Sequence, residues 1–296
     1  MTDMLKKNIM HGIAVALSAG AVASTVLYSR FHTPVLTAKP LVEFEKATDS
    51  EKYKDRLLTA HRGLSAIAPE NTLPSYEAAG KQGGFDAIEC DAYCTTDNVW
   101  VIMHDNDVRR MTDRTGKVTD FSYAELRSMK YDNGANYKDF DDLHICTIKE
   151  YLDVCRKYGC RPQIEIKDGR IEKLKPFYDL LKDEGVLENV IVISFNYKAL
   201  KYLRSIDKDL EIWYIVNIIT DKVIDRAKEQ NFGVNFRAQT YAKNQKAIQK
   251  IHDAGLVSSC WTVDTPELLN KMLEAGVEHI TTNCIVRKPV SYEKAE

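Results

Sequence analysis

IECDAYCTTDNVWVIMHD, residues 88–105, opens like a strand but carries acid where strands rarely do. In an extended chain alternate residues share a face. Glu89 and Asp91 therefore point one way, while Ile88, Cys90 and Ala92 point the other. One face is apolar and has a core to meet. The other holds two carboxylates, and the stretch runs on to His104 and Asp105.

Similar apolar runs recur along the chain, at 57–61, 87–93, 161–167, 190–195, 211–216, 232–236, 257–263 and 279–283. Between them lie amphipathic stretches such as LPSYEAAGKQ (73–82), TIKEYLDVCRKYG (147–159) and TPELLNKMLEAG (265–276). Several close on glycine, as helix C-termini often do. Strands alternating with helices imply βαβ units and a parallel sheet. Eight strands predict an α/β fold closed as a (β/α)8 TIM barrel, with an open doubly wound sheet as the runner-up. Residues 99–146 break the alternation and are too long for a turn. They predict a small insertion after strand two, a hairpin plus a short helical piece at the barrel mouth.

The chain has 296 residues, 44% hydrophobic and 28% charged, enough for a substantial core. Its net charge of −2 gives nucleic acid no electrostatic foothold, so no nucleic-acid partner is expected. The seven cysteines form no CxxC pair and no zinc spacing, and read as small core residues. That leans away from a strongly oxidising compartment.

Residues 12–28, GIAVALSAGAVASTVLY, carry no charge and follow Lys6 and Lys7. About 17–25 apolar residues cross a bilayer. An N-terminal hydrophobic helix over 1–31 is expected to anchor the chain in a membrane. The alternative is a signal peptide cut after Ala21-Val22-Ala23. The polar stretch 32–56 reads as a linker, and 57–290 as the barrel domain. The two lysines favour a barrel outside the cytoplasm, or secreted if the segment is removed. Arg30 and Lys39 on the other flank blunt that preference.

Barrel chemistry sits at the C-terminal ends of the strands. His61 and Arg62 end strand one there. Glu89 and Asp91 lie toward the end of strand two, and His104 closes the extension after it. Glu165 and Lys167 share a face of strand three, and Trp261 is near the end of strand seven. Any one acid would most simply pair with a nearby Arg or Lys. Three converging acids repel and raise one another's pKa, which a divalent cation resolves. Oxygen-only ligands favour Ca2+, Mg2+ or Mn2+ over zinc. Two imidazoles beside such a site suit acid–base catalysis, and Arg62 with Lys167 suits a phosphate.

These residues resemble the glycerophosphodiester phosphodiesterase family. HRGLSAIAPENT (61–72) is similar to its opening signature, IECDAYCTTDNVWVIMHD to the next block with its Glu-x-Asp and closing His-Asp, and RRMTDRTGKV (109–118) to the segment that follows. IEIK (164–167) and WTVDTPELLNKMLEAGVEHITTN (261–283) resemble the later blocks. The resemblance implies a (β/α)8 barrel that hydrolyses glycerophosphodiesters to an alcohol and sn-glycerol 3-phosphate. It implies that Glu89, Asp91 and Glu165 hold one Ca2+ or Mg2+, and that His61 and His104 form the acid–base pair in unassigned order. Arg62, Lys167 and Trp261 would bind substrate, and Glu70 and Asn71 would support the site around His61. Two blocks depart from the family pattern. Its Thr-Asp-x-Pro is Thr282-Asn283-Cys284-Ile285 here, and its Ile-Pro-Thr-Leu is Ile145-Cys146-Thr147-Ile148.

The rival reading is a lysophospholipase D, or another phospholipid-cleaving enzyme, on the same barrel. The expected membrane segment and an apolar groove around Trp213, Trp261 and Phe195 would favour that substrate. A non-catalytic tethered binding module is a weaker rival, because every presumed catalytic position is intact.

Overall fold

The two faces read from Glu89 and Asp91 hold for the whole sheet. The computed structural model describes residues 34–287. The described residues open with a two-residue strand, β1 (Val42–Glu43), and a single turn, α1 (Phe44–Ala47). The barrel then runs β2 (Leu57–Ala60), α2 (Leu73–Gln82), β3 (Ala87–Cys94), the short β4 (Trp100–Ile102), α3 (Tyr123–Arg127), α4 (Ile148–Tyr158) and β5 (Arg161–Ile166). It continues through α5 (Leu174–Asp183), β6 (Ile191–Ser194), α6 (Tyr197–Ile206), β7 (Glu211–Val216), α7 (Asp221–Gln230) and β8 (Gly233–Arg237). Last come α8 (Tyr241–Asp253), β9 (Ser258–Trp261), α9 (Pro266–Glu274), β10 (His279–Thr282) and β11 (Ile285–Val286).

The parallel order is β2-β10-β9-β8-β7-β6-β5-β3, and β3 pairs back onto β2 with Thr59 opposite Ala87 and Ala60 opposite Ile88. That last ladder closes the (β/α)8 barrel and removes the open-sheet alternative. The hairpin expected after the second barrel strand is β4, antiparallel to β3 with Ala92 opposite Ile102. The helical piece is α3. It starts where Ser122 and Glu125 cap each other's backbone amides.

Even-numbered strand residues such as Leu58, Ile88, Ile164, Val192, Val234 and Ile280 point outward into the main core beneath the helices. Helix α4 meets them with Ile148, Tyr151, Leu152 and Cys155, all buried at helical spacing. Each such side chain contributes about 1.5–3 kcal/mol of burial free energy. The Tyr151 hydroxyl donates to the Ile88 carbonyl at 2.6 Å and accepts from the Gln163 amide at 3.0 Å, tying helix to sheet. All seven cysteines are buried and unpaired, as expected of core residues, and burial raises the Cys90, Cys146 and Cys260 thiols. Odd-numbered residues face the barrel axis.

Two expectations need correction. From Leu41 onward the stretch read as a linker packs on the barrel. Val42 and Glu43 pair in parallel with Ile285 and Val286, and Phe44 is fully buried under the Arg287 guanidinium. An apolar Val-x-Phe pattern too short to show a period is enough for this strap. The hydrophobic segment 12–28 lies outside the described residues. Among the described residues no helix is long and apolar enough to cross a membrane.

Trp213 is the second correction. It sits low in the barrel, not at a groove near the mouth. Its ring meets His279 at 4.6 Å, and its Nε1 donates to Glu211 at 3.1 Å. Gly233 makes the room, because a Cβ there would stand 2.3 Å from the Trp213 ring. With Ile191, Ile193 and Ile215, Trp213 forms a small inner core that plugs the lower barrel.

Burial lowers the His279 imidazole to about 4, so the folded chain keeps it neutral where the unfolded chain would protonate it. The unfolded state then binds more protons between pH 6.5 and 4, and stability falls as pH falls through that window. His279→Gln removes this term. The stability deficit of the variant is expected to shrink by about 2–3 kcal/mol between pH 7.5 and 4.5 in denaturant titrations. A deficit that does not vary with pH would contradict the assignment.

Candidate active site

Strand β2 delivers His61 to the barrel mouth, and the chain turns sharply after it. Arg62 and Gly63 have φ of 57° and 78°. A Cβ on Gly63 would lie 2.4 Å from Ser75 Oγ, so glycine lets this loop rest on the start of α2. The left-handed turn at Arg62 costs a non-glycine residue about 1–2 kcal/mol. It aims the Arg62 backbone N–H at Glu89 Oε2, 2.8 Å away, and its guanidinium at Glu70 Oε1, 2.8 Å, and Asp91 Oδ2, 3.3 Å.

Register across the β3–β5 ladder sets Asp91 directly opposite Glu165, with Glu89 two pairs below opposite Gln163. Ligand oxygens of Glu89, Asp91 and Glu165 lie within 4.8 Å of one another, and all three residues are buried. Lys167 reaches Glu165 at 3.0 Å and Asp91 at 3.4 Å. Burial, then the charge of Asp91, push the Glu89 carboxyl well above its usual range. Burial raises Glu165 to about 7 although Lys167 pulls the other way. Asp91 resists the same burial because Lys167, His104 and Arg62 hold it well below the carboxylate range. Two cationic side chains are therefore too few for three acids. This surplus of buried oxygen donors fits a hard divalent cation, which would displace protons from Glu89 and Glu165.

The two histidines are held differently. His104 follows β4, where the Met103 amide donates to the Asp91 carbonyl at 2.9 Å. His104 Nδ1 meets Asp105 Oδ1 at 2.6 Å, and Arg110 Nε donates to Asp105 Oδ2 at 2.6 Å. Arg110 also grips both oxygens of Glu70, at 2.7 and 3.0 Å. His61 Nδ1 faces the amide oxygen of Asn283 at 2.8 Å. Burial, then the Arg62 charge, lower His61 to about 4. Burial lowers His104 as well, though Asp91 and Asp105 pull it back up.

His61, Arg62, Glu89, His104, Glu165, Lys167 and Trp261 line one cavity of about 70 Å³. Asp91, Glu70 and Asn71 stand just behind them. The ring of Trp261 packs edge-on against Phe195 at 5.8 Å, on the apolar side with Ile193 and Ile215. Glu70 and Asn71, expected to support the site around His61, stand behind it and act through Arg62 and Asp91. Glu70 neutralises Arg62 and Arg110. Asn71 donates to Asp91 Oδ2 at 2.7 Å and accepts from the Tyr76 hydroxyl at 3.0 Å. Reasoning from sequence assigned no role to Asp105, Arg110 or Asn283. The doubled arginine in RRMTDRTGKV was visible, but nothing local ties it to Glu70, 40 residues earlier.

Residues 61–286 match the glycerophosphoryl diester phosphodiesterase family. The chain belongs to it. A glycerophosphodiester phosphodiesterase of Caldanaerobacter subterraneus is 29% identical over 77% of this chain and 93% of its own length. One from Bacillus subtilis is 29% identical over 77% and 84%. A phosphodiesterase of Oleispira antarctica, solved in complex with the product sn-glycerol-3-phosphate, superposes with a TM-score of 0.70 at 26% identity, over 78% of this chain and 95% of that one. The chain is thus a phosphoric diester hydrolase of this family on a (β/α)8 barrel.

Arg110 is the hinge of the network behind the site. Removing one partner of a buried ion pair strands the others. Arg110→Ala is expected to cost about 3–5 kcal/mol in chemical unfolding, far more than any exposed arginine. A loss below about 1 kcal/mol would show that water already screens Glu70 and Asp105.

Proposed function

We propose that this phosphodiesterase hydrolyses small glycerophosphodiesters to an alcohol and sn-glycerol 3-phosphate, with one Ca2+ or Mg2+ and two histidines. The observation that carries the reading is the convergence of three carboxylates, two imidazoles, Arg62 and Lys167 on one cavity. The product named in the complex of the Oleispira antarctica relative supports the same substrate class. Glu89, Asp91 and Glu165 would hold the cation, which supplies positive charge that acidifies a substrate hydroxyl and offsets charge building on the phosphate.

The rest falls to side chains of this chain. Arg62 and Lys167 orient the phosphate. A carboxylate partner stabilises an imidazolium more than an amide oxygen does, so His104, with Asp105, is the proton donor and His61 the acceptor. In the first step His61 takes the proton of a glycerol hydroxyl as its oxygen attacks phosphorus, and His104 protonates the departing alcohol. The product is a cyclic phosphodiester. In the second step His104 takes a proton from water as it attacks, and His61 returns its proton to the ring oxygen that leaves. Both histidines end as they began.

Polar atoms below the cavity favour a small hydroxylated headgroup. Gln163 Nε2, Asn235 Oδ1, Thr281 Oγ1 and Trp261 Nε1 are buried without a protein partner, and all four residues line it. The lysophospholipase D alternative draws support from Phe195 and Ile218, large apolar side chains exposed on loops at the mouth. Residues 12–28 would tether the barrel to a membrane and hold it near lipid, outside the cytoplasm, or release it if cut.

The test is a chelator-stripped full chain given glycerophosphocholine, glycerophosphoethanolamine or lysophosphatidylcholine, with Ca2+ or Mg2+ restored. Glycerol 3-phosphate release that returns only with metal is the expected result. Choline and lysophosphatidic acid from the lipid alone would shift the reading to the lysophospholipase D. Full activity after chelation would remove the cation from the mechanism. Glu165→Gln is expected to weaken metal binding roughly 10- to 100-fold by calorimetry, and unchanged affinity would break the three-carboxylate site. His104→Ala is expected to lower kcat by roughly 100-fold or more with little change in melting temperature.

A further inference from the structure

Behind His61 runs a hydrogen-bonded chain that ends outside the family's own domain. Asn283 Oδ1 faces His61 Nδ1 at 2.8 Å and lies 2.9 Å from the Ser65 hydroxyl. Its Nδ2 donates to Asp264 Oδ2 at 2.6 Å, and its backbone N–H donates to Asp264 Oδ1 at 2.9 Å. Lys39 Nζ closes the chain on Asp264 Oδ2 at 2.9 Å. Lys39 precedes residue 61, where the family match begins, and its backbone N–H donates to the Ala66 carbonyl at 3.0 Å. The Ala66 amide in turn donates to the Asn283 carbonyl at 3.1 Å.

The polarity of this chain is dictated from its far end. An ionised carboxylate only accepts hydrogen bonds. Asp264 therefore requires the NH2 of Asn283, which leaves the amide oxygen for His61. An amide oxygen also only accepts, so Nδ1 of His61 has to carry the proton. Nε2 is then left with its lone pair, on a ring that lines the catalytic cavity. We infer that Asn283, oriented by Asp264 and Lys39, is a positioning residue that fixes His61 in its Nδ1–H tautomer and presents Nε2 as a proton acceptor. The inference rests on the reading of His61 as the base. It gives a role to Asn283, one of the two positions, with Ile285, at which the C-terminal block departs from the family's Thr-Asp-x-Pro.

Two readouts test it. The first is the imidazole spectrum of the full chain with 15N-labelled histidine, the His61 signals being those lost in His61→Gln. Nδ1–H signals are expected, and Nε2–H signals would overturn the inference. The second is kinetics. Asn283→Ala is expected to lower kcat roughly 10- to 100-fold with KM within about twofold. The double exchange Asn283→Asp with Asp264→Asn keeps an acceptor facing His61 but puts a carboxylate behind the ring, so the Nδ1–H signals are expected to persist while the acid limb of the kcat profile moves to higher pH. A double variant that shows Nε2–H signals, or an unmoved acid limb, would also overturn the inference. If the wild type cleaves no glycerophosphodiester yet shows Nδ1–H, the functional reading falls and the positioning of His61 stands.

Discussion

Three carboxylates share the axis of a closed barrel, and most of what surrounds them answers that charge. Desolvating an ion costs several kcal/mol unless it is paired or hydrogen-bonded. Glu89 gains the Arg62 amide, Asp91 gains Asn71 and Arg62, and Glu165 gains Lys167. Those partners need holding in turn, and Glu70 with Arg110 does so for Arg62. The compensation is incomplete. Glu89 and Glu165 remain pushed toward their neutral forms. A pocket fully balanced by its own side chains would have no call on a cation. This one is short of positive charge at the place where a phosphate substrate would bring more negative charge.

The barrel can carry such a site because its two faces are chemically separate. Outward residues meet the helices and supply the main apolar core. Inward residues change character with height. Trp213 and Ile191 fill the lower interior, and the acids and histidines crowd the upper end. Stability and catalysis therefore draw on different residues of the same strands. An odd-numbered position near a strand's end can be polar at little cost to the core beneath the helices.

How much of this could be read from the sequence follows from the range of each interaction. The acid pair on β3 shows because a strand's period is two residues, and β5 repeats the pattern with Glu165 and Lys167. The helices show through apolar spacing and their caps. Depth along the axis does not show: Trp213 is two residues into a strand and Trp261 ends one, and only closure of the barrel separates floor from mouth. Partnerships across distant loops are equally hidden. Glu70 meets Arg110, and His61 meets Asn283 222 residues away, with no local pattern to announce either. The strap at Val42–Phe44 escaped because three residues are too few to carry a period.

Position 283 illustrates how one departure from a family pattern can be forced by its neighbour. Asp264 presents Oδ2 to side chain 283 at 2.6 Å, while its Oδ1 accepts the backbone amide of the same residue. A second carboxylate at that distance would meet the first head-on, and one of the two would have to keep a proton. An amide avoids the clash, because one end donates to Asp264 and the other accepts from His61. The substitution that looks like erosion of the motif thus bridges Asp264 and His61 without adding a charge between them. That difference separates the two histidines. His104 has a carboxylate behind it, which favours a held proton, while His61 has an amide oxygen. On the proposed reading, the division of labour between acid and base rests on what lies behind each ring, since both rings line the same cavity.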